Sequence, residues 1–154
     1  MDDPYNLRRF SDAQNPVFEQ VCSELRNGQK RGHWMWFIFP QIEGLGLSQT
    51  AREFAISSRD EAAAYLDHPI LGPRLRECTR LVNLAEGRSI DQIFGYPDNL
   101  KFRSCMTLFA HATSATMSLR MRCRSFVEAN LIMRLLNGCD GLWFFLAQGS
   151  RGWT

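Results

Sequence analysis

The ten residues Gly32–Gln41, GHWMWFIFPQ, include two tryptophans and two phenylalanines. The conformation of this stretch determines which of its aromatic side chains lie in the core. A short, continuous apolar run of this kind predicts a buried strand, an extended segment or a helix turn. If the run is extended, Trp34 and Trp36 share one face. The opposite face would then carry three apolar residues: Met35, Phe37 and Phe39. One face would pack in the core and the other could stack on a flat ligand, although burial of both faces is the simpler outcome.

The rest of the chain is rich in helix-boundary signals. Serine or asparagine before a helix satisfies free N–H groups, and proline is tolerated in a first turn because it lacks that N–H. The predicted helix starts are Asp3-Pro4, Asn15-Pro16, Ser48, Ser58, Pro73, Ser89 and Asp98. Ser58 with Glu61 and Ser89 with Gln92 fit the capping box, and Gly28 and Gly87 are suitable C-terminal residues. We therefore predict a mainly α, compact single-domain bundle of short helices, with at most one short extended segment at Trp34 to Phe39.

Composition limits the class of protein. Of 154 residues, 45% are hydrophobic and 22% are charged, which is ordinary for a soluble domain with a packed core. No apolar stretch is long enough to span a membrane, and the acidic start MDDPYNLRRF does not resemble a signal peptide. The five cysteines are widely spaced without a C-x-x-C pair, which indicates buried thiols rather than a metal site. These features predict a cytoplasmic protein with no membrane contact, no metal and no cofactor.

The charge is unevenly distributed. Up to Thr116 the chain has 13 lysines and arginines against 14 acidic residues, whereas from Met117 it has 5 arginines against 2 acidic residues. A nucleic-acid-binding domain needs a basic stripe, and the first segment carries a small net negative charge. The sequence therefore predicts no nucleic-acid partner, and it identifies no protein partner.

Four segments resemble one known family. They are DPYNLRRFSDAQ, HWMWFIFPQIEGLGLS, REFAISSRDEAAAYLDHPILGPRLREC and IFGYPDNLKFRSCMTLFAHA, in this order between Asp3 and Ala112. The family is domain of unknown function 1810. The resemblance implies a compact, mainly helical single domain without an established activity. Some members carry the label calpastatin, but that inhibitor is disordered and repetitive, whereas this composition favours a packed core.

The likeness ends after Ala115. We predict a family-like helical domain over residues 1–116 and a divergent tail over residues 117–154. The tail has no lysine or proline and contains the apolar run LWFFLAQ. One hypothesis is a change of reading frame near Thr116, which would leave a poorly packed tail with an exposed apolar run. A divergent natural tail is the alternative.

Candidate site residues surround the aromatic stretch. His33 suits acid–base chemistry near neutral pH, with an edge histidine hydrogen-bonded at the core as the alternative. Glu43 is an acid that no helix cap explains. The glycine-rich stretch from Gly44 could hold an anion through its N–H groups, or it could simply form a turn. The predicted ligand-binding residues are Trp34, Trp36, Gln41, Gly44, Gly46, Ser48, Lys101 and Arg103.

Two functions follow from these residues. The first is a small-molecule-binding domain, with or without catalysis, in which aromatic side chains hold the base of a nucleotide-like ligand and Lys101 holds its phosphate. The second is a non-catalytic protein-interaction module that uses exposed aromatic side chains. The sequence does not determine a reaction.

Overall fold

The fold is a bundle of short helices, as predicted. The computed structural model describes the backbone of residues 2–120 and the side chains of residues 2–112. Within this part, one isolated parallel bridge joins Ile42 and Ile56, and no helix has the length and apolar content needed to cross a membrane. The eight helices in it are α1 Arg8–Gln14, α2 Phe18–Arg26, α3 Met35–Ile38, α4 Gln49–Glu53, α5 Arg59–Asp67, α6 Leu71–Leu84, α7 Ile90–Phe94 and α8 Asp98–Arg120.

Three predicted serine caps are present. Ser48 and Ser58 accept hydrogen bonds from the third backbone N–H of their helices, each at 3.1 Å. Ser89 forms the complete capping box with Gln92. The box predicted at Ser58 is only half formed, because the Glu61 carboxylate accepts from Ser57 instead. Local signals therefore located these three helix starts correctly.

The first two proline signals open helices later than predicted. The Asp3 carboxylate accepts from the N–H groups of Leu7 and Arg8, so it caps a helix that begins at Arg8. Asn15 has helical geometry and its N–H donates to Ser11, so it closes α1 instead of opening α2. These two starts were predicted wrongly, because Asp3 caps a helix that begins five residues further along and the backbone of Asn15 continues α1.

Of two later helices, α6 begins earlier than predicted, and α8 begins at the predicted residue without the predicted cap. α6 begins at Leu71, so Pro73 lies within the first turn, where its missing N–H has no intrahelical partner to lose. His68 caps this helix, since its Nδ1 accepts from the N–H groups of Ile70 and Leu71. α8 begins at Asp98 as predicted, but the Asp98 carboxylate binds two lysines, so its predicted role as a side-chain cap is not supported.

The stretch from Trp34 to Phe39 is a helix turn and not an extended segment. The alternating faces expected for an extended chain do not occur, because a helical turn brings together residues three or four apart. Trp34, Met35, Ile38 and Phe39 are at most 2% exposed, whereas Trp36 is half-buried. The two tryptophans therefore differ in environment, with Trp34 in the core.

Aromatic rings from distant elements meet around α3. Phe39 contacts Phe102 edge to face at a centroid distance of 4.9 Å and Phe94 at 5.8 Å. α3 packs against α1, α6 and α8. Residues 34–39 are thus the centre of the core, and their side chains connect the first half of the chain to α8.

The buried side-chain amide of Gln14 forms a hydrogen bond with a backbone carbonyl group near the end of α3. The Gln14 side chain donates to the carbonyl oxygen of Phe37 at 2.7 Å and to the Tyr65 hydroxyl at 3.0 Å. Burial raises the pKa of the Tyr65 phenol well above its usual value. Gln14 therefore links α1, α3 and α5 inside the core, where an unpaired carbonyl would be costly.

The thiols within the described side chains are buried and free, as predicted: Cys22, Cys78 and Cys105. Cys123 and Cys139 lie outside the described residues. The α8 backbone continues through Thr116 to Arg120. The remainder of the predicted tail, with LWFFLAQ, lies outside the described residues, so the division at Thr116 stays a prediction.

We predict that Gly72→Ala destabilises the protein by about 2 kcal/mol or more, because the added Cβ would overlap the backbone oxygen of Leu66. Urea unfolding measures this loss. The control is Asn83→Ala on an exposed position of the same helix, where we expect a change below about 0.5 kcal/mol. Equal stability of Gly72→Ala and the wild type would contradict the close approach of the two segments.

Candidate functional site

Trp36 and Lys101 form the centre of the candidate site. The Lys101 ammonium nitrogen lies 3.9 Å from the centroid of the Trp36 ring, a cation–π contact between α3 and α8. Both side chains are half-buried. The sequence predicted both as ligand-binding residues, and the structure brings them together although 65 positions of the sequence separate them.

Asp98 holds this cation in place together with a second one. Its two carboxylate oxygens accept from Lys101 at 2.9 Å and from Lys30 at 2.7 Å. Burial alone would raise the pKa of Asp98, but hydrogen bonds from both ammonium groups outweigh this effect and lower it. We call Lys30, Asp98 and Lys101 the lysine cluster. It carries one net positive charge, and its two lysines are the only ones in the chain, which otherwise uses arginine for its cations.

The glycine turn, Gly44–Ser48, lies beside the same ring. Gly44 has a φ of +92°, which favours glycine. A Cβ at Gly46 would lie 2.5 Å from the Cβ of Ala51 and 3.5 Å from the Trp36 ring. Gly46 therefore allows the backbone to approach the tryptophan closely. Ser48 accepts the Ala51 N–H as the cap of α4, so its hydroxyl oxygen is engaged.

Gln41 contributes a polar group of a different kind. Its backbone oxygen accepts from Ile56 at 2.8 Å, which fixes the chain between α3 and the glycine turn. Its side chain is only 9% exposed, and its Nε2 is buried without a hydrogen-bond partner in the described part of the chain. A buried donor without an acceptor costs free energy.

Four other predicted residues do not join this centre. Trp34 is buried, and its Nε1 donates to Glu24 at 2.9 Å. Arg103 is directed toward Asp91, with its Nη2 at 3.3 Å from the carboxylate. His33 and Glu43 are exposed, and within the described residues no side-chain hydrogen bond links either of them to Trp36. Their acid–base roles stay predictions.

Glu24 is the residue that the sequence argument missed. Its carboxylate accepts from the backbone N–H groups of Arg31 at 2.7 Å and Gly32 at 3.0 Å, in addition to Trp34. Gln20 donates to its other oxygen at 2.8 Å. Burial would raise the pKa of Glu24, but these four donors lower it to about 2. One sequence signal could have revealed it, because Glu24 lies three residues after Val21 on the apolar face of α2.

The described residues bring together no group of three or more histidine, cysteine or acidic side chains that could hold a metal ion. A shallow surface depression lined by Gln49, Arg52 and Glu53 includes none of the predicted site residues. The arrangement around Trp36 is instead suited to an anion with a flat group, since it combines an aromatic face, ammonium groups and a close backbone turn.

The fold and this site define a small α-helical domain with a cation–aromatic centre. The chain belongs to the family of proteins of unknown function DUF1810, whose profile matches residues 4–134, and this confirms the resemblance. The conserved hypothetical protein Rv1873 from Mycobacterium tuberculosis, known from a crystal structure, is 52% identical, with 90% of each chain covered and a TM-score of 0.78. Comparison with curated proteins gives no match.

We predict that Glu24→Gln, which keeps the size of the side chain and removes its charge, lowers the free energy of unfolding near pH 7 by about 1–3 kcal/mol. The lowered pKa of Glu24 has a second consequence. Its stabilising effect is full above the ordinary value of 4.5 and is lost as the pH falls toward about 2. As the pH falls to about 3, the wild type should lose about 2 kcal/mol from this group, and Glu24→Gln should not.

Urea unfolding at several pH values between about 7 and 3 measures both effects. The matched control is Glu19→Gln on the exposed side of the same helix, which should keep the acid dependence of the wild type. An acid dependence of Glu24→Gln as steep as that of the wild type would show that Glu24 is not the group responsible.

Proposed function

We propose that this protein is a small-molecule-binding domain whose ligand is nucleotide-like, with Trp36, Lys101 and the glycine turn as the binding residues. The observation that carries the proposal is the Lys101 ammonium over the Trp36 ring, beside a backbone turn that glycine brings close. An aromatic ring suits a flat base, and ammonium and N–H groups suit phosphate. No reaction is proposed, because His33 and Glu43, the predicted acid–base residues, are exposed and are not joined to this centre by a described contact.

The unpaired Gln41 amide supports the same proposal. A buried donor that lacks an acceptor lowers stability, and such groups are common where a ligand supplies the missing partner. Gln41 precedes the glycine turn by only two residues, Ile42 and Glu43. A carbonyl or phosphate oxygen of the ligand would therefore satisfy it.

The restriction of lysine to this cluster is further support. Lysine acts as a compact point charge with three donors, whereas arginine presents a planar fork. Asp98 takes one donor of Lys101, and the Trp36 ring faces the ammonium. Lys101 could therefore donate to an anionic ligand while its hydrogen bond to Asp98 stays in place.

The experiment is a thermal-shift and calorimetric panel of NAD, ADP-ribose, mononucleotides and inorganic phosphate. We expect at least one nucleotide to raise the midpoint at millimolar concentration, because a ligand that binds the folded state stabilises it. Lys101→Met should weaken that binding about 10- to 100-fold, the effect of losing a charge-assisted hydrogen bond. Because the chain has two lysines, spectra of protein with isotope-labelled lysine should show which ammonium group responds.

Two further variants sharpen this test. Arg80→Met removes an exposed cation on α6 and should leave binding unchanged. Gln41→Leu should weaken binding while keeping or raising the free energy of unfolding, because it removes an unpaired buried donor. A panel without any stabilisation, or binding that survives Lys101→Met unchanged, would contradict the proposed site.

A second function is favoured by a different observation. Leu45 and Leu47 flank Gly46 and are 54% and 81% exposed. Large exposed apolar side chains on a turn are typical of contact surfaces between proteins. We infer as the alternative a non-catalytic interaction module in which this turn and Trp36 contact a partner protein.

The alternative predicts that a partner retained by the wild type in pull-downs is lost on Leu47→Ser. Thermal stability should be unchanged, since an exposed leucine contributes little to folding. Leu84→Ser is the control, because Leu84 is similarly exposed at 58% but lies on α6. Retention of the partner by Leu47→Ser would exclude the glycine turn as the contact surface.

We also propose a cytoplasmic location. It is supported by the three free, buried thiols, since free thiols are typical of a reducing compartment.

A further inference from the structure

His68 lies at the junction of α5 and α6 and forms hydrogen bonds with both helices. Its backbone N–H donates to the carbonyl of Tyr65 at 3.3 Å, and its carbonyl accepts the N–H of Gly72 at 3.2 Å. Its ring nitrogen Nδ1 accepts from the backbone N–H groups of Ile70 and Leu71, each at 3.2 Å. Because the first N–H groups of a helix have no intrahelical partner, the imidazole satisfies the start of α6.

The two hydrogen bonds to Nδ1 exist only while this nitrogen carries no proton. A neutral imidazole has one acceptor nitrogen, whereas an imidazolium has two donors and no acceptor. Protonation would therefore turn an N–H toward the N–H groups of Ile70 and Leu71. It would also place a positive charge at the N-terminus of α6, where the helix dipole disfavours a cation. Histidine ordinarily changes charge between about pH 5 and 8, so acid in this range acts directly on the cap.

We propose that His68 is a proton-sensitive cap, which holds the start of α6 while its ring is neutral and releases it when the ring gains a proton. The folded state disfavours the protonated ring and the unfolded chain does not. The unfolded chain therefore binds more protons, and stability falls as the pH falls. Leu71, at the start of α6, is fully buried, and this helix packs against α2, α3 and α5. Release of this helix end therefore reaches the core.

The acidic groups near the ring are exposed. Asp3, in the segment before α1, attracts a cationic His68, and Asp67 is its neighbour at the end of α5. Both favour the protonated ring, but solvent screens exposed charges, and Asp3 also accepts from two backbone N–H groups. Neither carboxylate supplies the acceptor that the start of α6 loses, so protonation removes the cap.

The remaining charged groups around the junction have other partners or are exposed. On α6, the Arg74 guanidinium lies 4.7 Å from the Phe18 ring of α2, and Arg76 donates to the carbonyl of Leu66. α3 carries no charged residue, and on α8, which packs against α5, His111 is exposed. The imidazole at the junction is therefore the group whose titration acts on the start of α6.

The experiment compares thermal unfolding of the full chain and of His68→Asn at about pH 7.5 and about pH 5.5. Asparagine carries its Oδ1 on Cγ, as histidine carries Nδ1, so it can accept from the same N–H groups, and it gains no proton in this range. We expect acid to lower the melting temperature of the wild type by about 2–5 °C more than that of His68→Asn, the effect of losing a helix cap. His33→Asn is the control, because His33 is exposed, and it should keep the pH dependence of the wild type.

Nuclear magnetic resonance of the wild type supplies a second measurement. At about pH 7.5 the unprotonated ring nitrogen of His68 should be Nδ1, and the amide signals of Ile70 and Leu71 should shift together with the ring as acid is added. If His68→Asn fails to fold, this titration decides the question. A protonated Nδ1 at the higher pH, or amide signals that do not follow the ring, would overturn the proposal. Equal pH dependence of the wild type and a folded His68→Asn would overturn it as well.

Discussion

The structure depends on one buried carboxylate, that of Glu24. Desolvation of a charge is costly, and here four N–H donors offset it: two from the backbone at Arg31 and Gly32, one from Trp34 and one from Gln20. Because three of these donors follow α2 within ten residues, the carboxylate sets the path of the chain after that helix. It draws Trp34 into the core, and the single turn of α3 begins directly after it.

The position of the candidate site follows from this constraint. Lys30, just before the segment that Glu24 holds, is fixed by Asp98 and by its own bond to the carbonyl of Gly32 at 2.6 Å. The start of α8 is thereby tied to the same loop, and Lys101, one turn into α8, comes to lie over Trp36. The cation–aromatic contact is thus a product of two carboxylates, the buried Glu24 and the half-buried Asp98, which belong to helices far apart in sequence.

The parts of the fold that were predictable are those with local causes. Ser48 and Ser89 cap helices because the partner N–H is three residues away, and Gly28 ends α2 with a φ of +64° that its own backbone permits. The predictions failed where a side chain has a distant partner. Glu61 fitted a capping box, yet its carboxylate binds Arg9 at 2.7 Å, and Arg9 also donates to carbonyls at Ala55 and Tyr5. Similarly, the 34–39 run is a helix turn because contacts from α1 and α8 fix it, and periodicity alone cannot report them.

The predicted site residues also divide into those that the structure brings together and those that have partners elsewhere. Trp36, Lys101 and Gly46 were predicted from their residue types, and the structure brings them together. Arg103 has a suitable charge, but its guanidinium is directed toward Asp91. Trp34 has a suitable ring, but its N–H donates to Glu24 in the core. Residue type identifies what a side chain can bind, and tertiary partners decide whether it is free to do so. The Nε2 of Gln41 and the Nε of Arg103 are both buried without a hydrogen-bond partner in the described chain. The proposed binding role therefore rests on the contact of Lys101 with Trp36, beside the close backbone approach at Gly46.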